Sequence, residues 1–395
     1  MNTASDAKCG LDWAIEGAHK AEEAHEVLAR GSLFGDNVRF ITREFDAIHY
    51  LDRLKSLSRS ICTSWQPCTV VRQGTGKSKV KLSAVGDLLL RAVEGYEQCF
   101  LSGWKDGFQS RYKGSRLHPR LQVMVEAIQS WHGRLAELDP VSNSERFCDA
   151  LNELAAAIRT KFASDDVKRQ INNFERNAKQ KLHRALNYTA SLFQRCSRLL
   201  VVRVDLYARR TDGIPGLTDE HVGAIDEAFD RFADDLAREC IVKHVVGWMS
   251  AREQGHERGR HFHVLVAMDG NLHREGVSIA KMLGEYWKAM FVDGQLVGTY
   301  FNCFGLTEKY KHLGIGMVHR MDGPKLVGLF FAIRYLCKTD VQWVAEGVKP
   351  RNFRRGQIDA EYVRRGRPRS HDDNLLLVHQ TFSTLMSQVG VKDGS

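Results

Sequence analysis

The run Arg260-His261-Phe262-His263-Val264-Leu265-Val266-Ala267-Met268 constrains the fold more than any other part of the chain. Side chains alternate across a β-strand, so His261 and His263 share one face and Phe262 takes the other. The residues that follow are apolar on both faces, which places the segment inside a sheet rather than at its edge. Two imidazoles side by side on a rigid strand make half of a metal site. Alone they would suit two hydrogen-bonded histidines beside a core equally well, so their neighbours must decide.

Those neighbours read as alternating strands and helices. Leu200, Val202, Val204 and Leu206 line one face of a strand over 199–207, while Arg203, Asp205 and Tyr207 share the other. A turn is expected at Gly213-Ile214-Pro215-Gly216. Thr218 can then cap a helix that carries Asp219 and Glu220 in its first turn. His244 to Ser250 reads as a further strand, and Arg252 to Gly259 as a polar loop leading into the histidine strand. Strand, short loop and strand make an antiparallel hairpin, on which Glu253 or Gln254 would come beside the histidines. A carboxylate or amide oxygen with two imidazoles forms a three-ligand site with open positions. Ser278 to Phe291 has helical periodicity, and Ile315 to Met321 reads as a strand. Pro324 suits the first turn of a helix through Leu326, Leu329, Phe330, Ile333 and Leu336. Near its end Tyr335 and Lys338 stand three residues apart, on one helix face.

The first half carries little chemistry. Apolar residues recur at helical spacing over 87–104, 121–138 and 147–162, and a long basic helix is expected from Asp165. Gly74-Thr75-Gly76-Lys77-Ser78 imitates the end of a phosphate-binding loop. That loop needs a glycine five residues before Gly76, where Val71 stands, so a turn is the better reading. The nine cysteines are scattered without any C-x-x-C pair, which points to reduced thiols. Met1 to Gly10 is polar, and no apolar run reaches the length of a membrane span, so a cytoplasmic protein without a membrane partner is expected. The net charge of +9 suits a polyanionic partner. Residues 346–370 hold eight basic and three acidic side chains, over half of that excess.

The strand over 198–206, the segment His261-Phe262-His263-Val264-Leu265 and the segment Arg334-Tyr335-Leu336-Cys337-Lys338-Thr339-Asp340 occur in an order that resembles the HUH endonucleases. Within them the wording is similar to the inovirus gene-II-type replication proteins of filamentous phages and prophages. Asn352-Phe353-Arg354-Arg355 fits the basic segment that tends to follow. The resemblance covers residues 186–357. It implies an α+β chain: a mainly helical region over 1–185, an HUH nuclease domain over 186–345 with a mostly antiparallel central sheet flanked by helices, and a basic tail over 346–395. It further implies origin nicking for rolling-circle replication, with a 5′-phosphotyrosine and a free 3′-OH. Tyr335 would be the nucleophile and Lys338 its cationic partner. His261, His263 and Glu253, with Gln254 as the alternative, would hold Mg²⁺ or Mn²⁺. Arg203, Lys349, Arg351, Arg354 and Arg355 would contact DNA. The expected partners are single-stranded or supercoiled origin DNA and a host helicase, because helicase motifs are absent.

A nucleotide hydrolase of the His-x-His-x-His kind would need a third histidine where Leu265 stands. A non-haem iron oxygenase would use two histidines and Glu253, but would leave Tyr335 and Lys338 idle. A DNA-binding regulator of a mobile element with an unused nuclease fold, or a related transposase or relaxase, are the remaining readings.

Overall fold

The computed structural model describes residues 43–64, 66–72, 79–96, 115–139, 141–212, 217–255, 259–291, 294–309, 311–337, 343–345, 352–357 and 375–389. In chain order these form α1 (Arg43–Thr63), β1 (Thr69–Arg72), β2 (Lys79–Leu82), α2 (Ala84–Tyr96), β3 (Ser115–Leu117), α3 (Pro119–Ala136), α4 (Ser144–Ala163) and α5 (Asp165–Arg195). There follow β4 (Arg198–Arg210), α6 (Asp219–Ala237), β5 (Val245–Gly255), β6 (Gly259–Asp269), α7 (Gly276–Ala289), β7 (Leu296–Asn302), β8 (Gly316–His319) and α8 (Gly323–Leu336). The last are β9 (Trp343–Ala345), β10 (Phe353–Arg355) and α9 (Leu376–Val389). The class is α+β, as expected, and every strand pairing among the described residues is antiparallel.

The chain divides into two compact units. The described residues up to Asn177 make one together with β9, and those from Ala178 onward make the other. The division falls inside α5, eight residues before the boundary expected at 185/186. In the first unit, heptad-like spacing becomes core. Leu51, Leu54 and Ile61 of α1, Leu121, Met124 and Ile128 of α3, and Leu151, Leu154 and Ile158 of α4 are fully enclosed. The Asn152 amide on α4 accepts from the Cys68 and Thr69 N–H groups and donates to the Thr69 hydroxyl, which ties the β1–β2 hairpin to the helices. The Gly74–Ser78 turn lies outside the described residues.

The second unit is a six-stranded open sheet in the order β10-β5-β6-β4-β7, with β8 also paired to β4 beside β7. The histidine strand is β6, held centrally between β5 and β4 as its two-sided apolarity requires. Leu199, Val201, Leu265 and Ala267 face α5, α8 and α9. The alternate residues Leu200, Val202, Val204, Phe262, Val264 and Val266 face α6 and α7. On that second side Phe262 stacks on Phe229, with ring centroids 3.8 Å apart and planes 4° apart, and Trp287 closes edge-on. Asp226 of α6 pairs with Arg252 at 3.0 Å and with Arg260 at 3.5 Å, clamping the helix to the hairpin. Thr218 caps α6 as anticipated: its hydroxyl accepts from the His221 N–H, and His221 Nδ1 accepts from the Thr218 N–H.

Two expectations change. Residues 252–255 and 259 are strand rather than loop, because cross-strand pairing runs out to Gly255↔Gly259. Backbone pairing with β6 outweighs the polar composition there. The segment after 345 is not simply a tail: β10 adds to β5, and α9 packs on α8 through Val378, Phe382 and Leu385. The strand β7 carried too weak an alternation to read. The turn at Gly213–Gly216 lies outside the described residues, and no helix among those described is long and apolar enough to cross a membrane.

Helix α8 packs by a glycine contact against residues 313–314, just ahead of β8. A Cβ on Gly328 would sit 2.5 Å from the Leu313 carbonyl carbon, and one on Gly314 would sit 2.1 Å from Gly328 carbonyl atoms. Because the obstacle is backbone on both sides, no rotamer change can relieve it. Gly328→Ala is expected to displace α8 and lower unfolding stability by about 2 kcal/mol or more. Gly323→Ala at the half-buried start of the same helix meets nothing within 4 Å and should leave stability within about 1 kcal/mol of wild type. Urea denaturation of the two variants checks the contrast.

Candidate active site

Strand register assembles the site. On β4, Arg203, Asp205 and Tyr207 lie opposite Leu265, His263 and His261 of β6. On the other flank of β6, Glu253 of β5 lies opposite His261. Since facing residues in register point the same way, Asp205, Glu253, His261 and His263 converge on the sheet face covered by α8. The last full turn of α8 then sets Tyr335 over that face.

Each contact has a direction. His263 Nδ1 is 2.7 Å from Asp205 Oδ1, which turns Nε2 outward. Nε2 is 3.3 Å from Glu253 Oε2 and 3.3 Å from the Tyr335 hydroxyl. His261 Nε2 is 3.7 Å from the same carboxylate oxygen. The two imidazoles meet edge to face at 87°, with centroids 4.9 Å apart. Both histidines are 2% exposed, whereas the Glu253 side chain is 20% exposed and gives the site its opening. The Arg203 guanidinium lies beneath the Tyr335 ring, 4.2 Å from its centroid, with Nε 3.5 Å from Asp205. Arg203 is therefore buried under the tyrosine, rather than placed on a surface as a DNA contact would be.

Glu253, His261 and His263 offer donor atoms that all lie within 4.8 Å of one another, a group able to hold a metal ion. The donor set suits one. Two imidazole nitrogens and a carboxylate oxygen match a borderline divalent ion. The Asp205 bond to the far nitrogen of His263 is the usual way a ligating ring is oriented. Gln254, the alternative ligand, follows Glu253 on β5 and pairs with Arg260. Its side chain lies outside the described residues.

The other expected residues separate. Arg354 comes from the reverse face of the sheet, in register with Ser250, and is ion-paired with Asp230. Arg355 is exposed and lies over the Tyr188 ring at 4.9 Å. Lys338, Lys349 and Arg351 lie outside the described residues. Asp205 is the residue that sequence reading left without a role. The available signal was an Arg-x-Asp pair on an otherwise apolar central strand, since buried charges need partners. Cys303 adds a weak S–H contact to Asp205 at 3.8 Å. The Cys337 thiol, two residues past Tyr335, is pushed up to about 12 by burial against a smaller opposing effect of Lys181, so it offers no competing nucleophile.

Compared with family models, with curated proteins and with solved structures, the chain matches none of them.

Burial alone would lower the pKa of His263, but the carboxylates of Asp205 and Glu253 outweigh it and raise the ring to about 9. The metal-free site thus holds an imidazolium at neutral pH, and an incoming ion must displace its proton. The folded pKa exceeds the unfolded value of about 6.5, so this proton's contribution to stability is complete below pH 6.5 or so. It is lost as pH rises through about 9. In chelator, the denaturation midpoint should therefore fall over that window, and Asp205→Asn should remove most of the fall. A midpoint in wild type that rises or stays level across the window would contradict the assignment.

Proposed function

We propose that this chain is a metal-dependent single-strand DNA endonuclease of the HUH type, with Tyr335 as its nucleophile and a rolling-circle origin as its substrate. The observation that carries the reading is the placement of the Tyr335 hydroxyl 3.3 Å from His263 Nε2, on which Glu253 also converges. A tyrosine buried only to complete a core would turn its hydroxyl to a backbone acceptor or to water; this one turns it to the mouth of a metal-ligand group. A nucleophile beside such a group is what phosphodiester transfer needs, because the phenol is a weak nucleophile at neutral pH.

In this reading Glu253, His261 and His263 hold Mn²⁺ or Mg²⁺, which when bound supplies Lewis-acid polarisation of the scissile phosphate. Imidazole favours Mn²⁺ over the more oxygen-loving Mg²⁺. Tyr335 Oη attacks phosphorus, the P–O3′ bond breaks, the phenol gives up its proton and the departing 3′ oxygen takes one up. The energy of the diester is kept in the 5′-phosphotyrosine, and the free 3′-OH can prime synthesis. Asp205 keeps the His263 ring turned outward, and Arg203 supports the tyrosine ring from below with a cation–π contact. The net charge of +9 and the exposed Arg355 are consistent with a DNA partner, and a host helicase would unwind the duplex.

Incubation with a supercoiled plasmid bearing the element's own origin, followed by denaturing electrophoresis, tests the proposal. Wild type should nick the plasmid and carry a covalent DNA adduct in Mn²⁺, and lose both in chelator. Tyr335→Phe keeps the ring and deletes the hydroxyl, so it should abolish the adduct while leaving the melting temperature and DNA binding near wild type. An adduct at wild-type level in the Phe variant would move the nucleophile elsewhere. Glu253→Ala should weaken Mn²⁺ binding by calorimetry at least about tenfold, the loss typical of disturbing a metal's ligand set. Unchanged Mn²⁺ affinity would remove Glu253 from that set.

A further inference from the structure

Some eight residues along β5 from Glu253, roughly 25 Å at strand rise, the same unit holds a cavity of about 820 Å³. Its walls come from the ends of α5 and α6, the start of β5 and the end of β10. They include Arg195, Glu239, His244, Trp248, Arg355 and Gly356. The volume lies within the usual range for a small-molecule site.

Two observations point to a ligand. First, Glu239 and His244 are the two non-glycine residues with positive φ among those described, at 57° and 62°, and both line this one cavity. Glu239 occupies the left-handed position that closes α6. Its N–H donates to the Leu236 carbonyl at 3.2 Å, and the Cys240 N–H reaches Asp235 at 2.8 Å. Glycine ordinarily fills that position because it has no Cβ to strain. A glutamate there costs stability, and strain of this sort collects where a side chain is needed for function. Second, the Trp248 indole N–H has no hydrogen-bond partner among the described residues although Trp248 is only 7% exposed. It lies against Gly356, where an added Cβ would stand 3.0 Å from Nε1. Arg355 lies over the Tyr188 ring and donates to the Gly356 carbonyl, which puts its guanidinium on the cavity wall. Carboxylates of Asp234 and Asp269 share the wall with Glu239, so the lining offers both cationic donors and anionic acceptors.

We infer that this cavity binds a nucleotide unit, its phosphate on the Arg195 and Arg355 side and the amino-bearing base on the Glu239 and His244 side. A bare anion would be repelled by the three carboxylates, and an apolar ligand would leave the arginines and acids desolvated. A nucleotide satisfies both sets. Its source can be a free nucleotide or one residue of a single strand, and the site is independent of the chemistry at Tyr335.

The test uses the full-length chain, with deoxyadenosine monophosphate and inorganic phosphate as probes in equilibrium dialysis. The nucleotide should bind more tightly than phosphate. Glu239→Gly should hold or raise the melting temperature, because it relieves the left-handed strain, and yet weaken the nucleotide about tenfold, a readily measured change. Glu239→Asn, which also tolerates that conformation, guards against an effect peculiar to glycine and should give the same loss. Arg355→Ala should weaken the nucleotide, and Tyr335→Phe should leave its binding unchanged. Displacement of the nucleotide by a single-stranded oligonucleotide assigns the site to a strand; failure to displace assigns it to free nucleotide. Absence of nucleotide binding at millimolar concentration overturns the inference, as does full binding by both Glu239 variants.

Discussion

His263 can aim Nε2 at Glu253 and Tyr335 only while Nδ1 is bonded to Asp205, and that bond exists in a single register of β4 against β6. A slip of one residue would turn Asp205 toward the Phe229 and Trp287 layer and send His263 with its neighbours to the wrong face. The register is set by the core rather than by the polar pair. Leu200, Val202, Val204 and Leu206 on one side, and Leu199 and Val201 on the other, are all essentially inaccessible to solvent. Burial of apolar area is the large stabilising contribution here. The Asp205–His263 bond mainly spares two buried polar groups the cost of standing unpaired.

Charge balance at the site follows from the same packing. Arg203 and an imidazolium at His263 face the carboxylates of Asp205 and Glu253, so the metal-free pocket is close to neutral. Loss of the His263 proton would leave an excess of negative charge, which is the condition that draws in a divalent ion. A divalent ion held by Glu253, His261 and His263 would take the place of that proton. Arg203 has a double task in this arrangement, balancing Asp205 and carrying the ring of Tyr335.

Rigidity comes from behind and from above. Behind β6, the stacked Phe262 and Phe229 rings and the edge of Trp287 leave the strand no room to tilt, so the two histidines keep their spacing. Above it, α8 comes within backbone contact of 313–314 because Gly314 and Gly328 lack side chains. That approach brings Tyr335 down to the imidazoles. The far end of β5 is built differently, with a bulge between Val245 and Gly247 and two left-handed residues around an open cavity. One strand therefore joins a tightly packed centre to a strained and more accessible one.

The sequence by itself determined the local periods: strands at 199–207 and 260–268, amphipathic helices over most of 121–195, the Thr218 cap, and the shared face of His261 and His263. Those are decided by side-chain alternation and helical spacing, which need no distant partner. It also put Glu253 within reach of the histidines, since a hairpin constrains its own two arms. Only the tertiary structure decided that Asp205 orients His263, that Arg203 lies buried under Tyr335 rather than on an exposed surface, and that β10 and α9 join the sheet unit. Each of these depends on residues 58 to more than 100 positions apart meeting, and local patterns carry no information on such distances. The strand extension through Arg252 and Glu253 was hidden for a related reason. Polar residues favour loops when read alone, but pairing with Phe262 and His261 of β6 satisfies their backbone and draws them into the sheet.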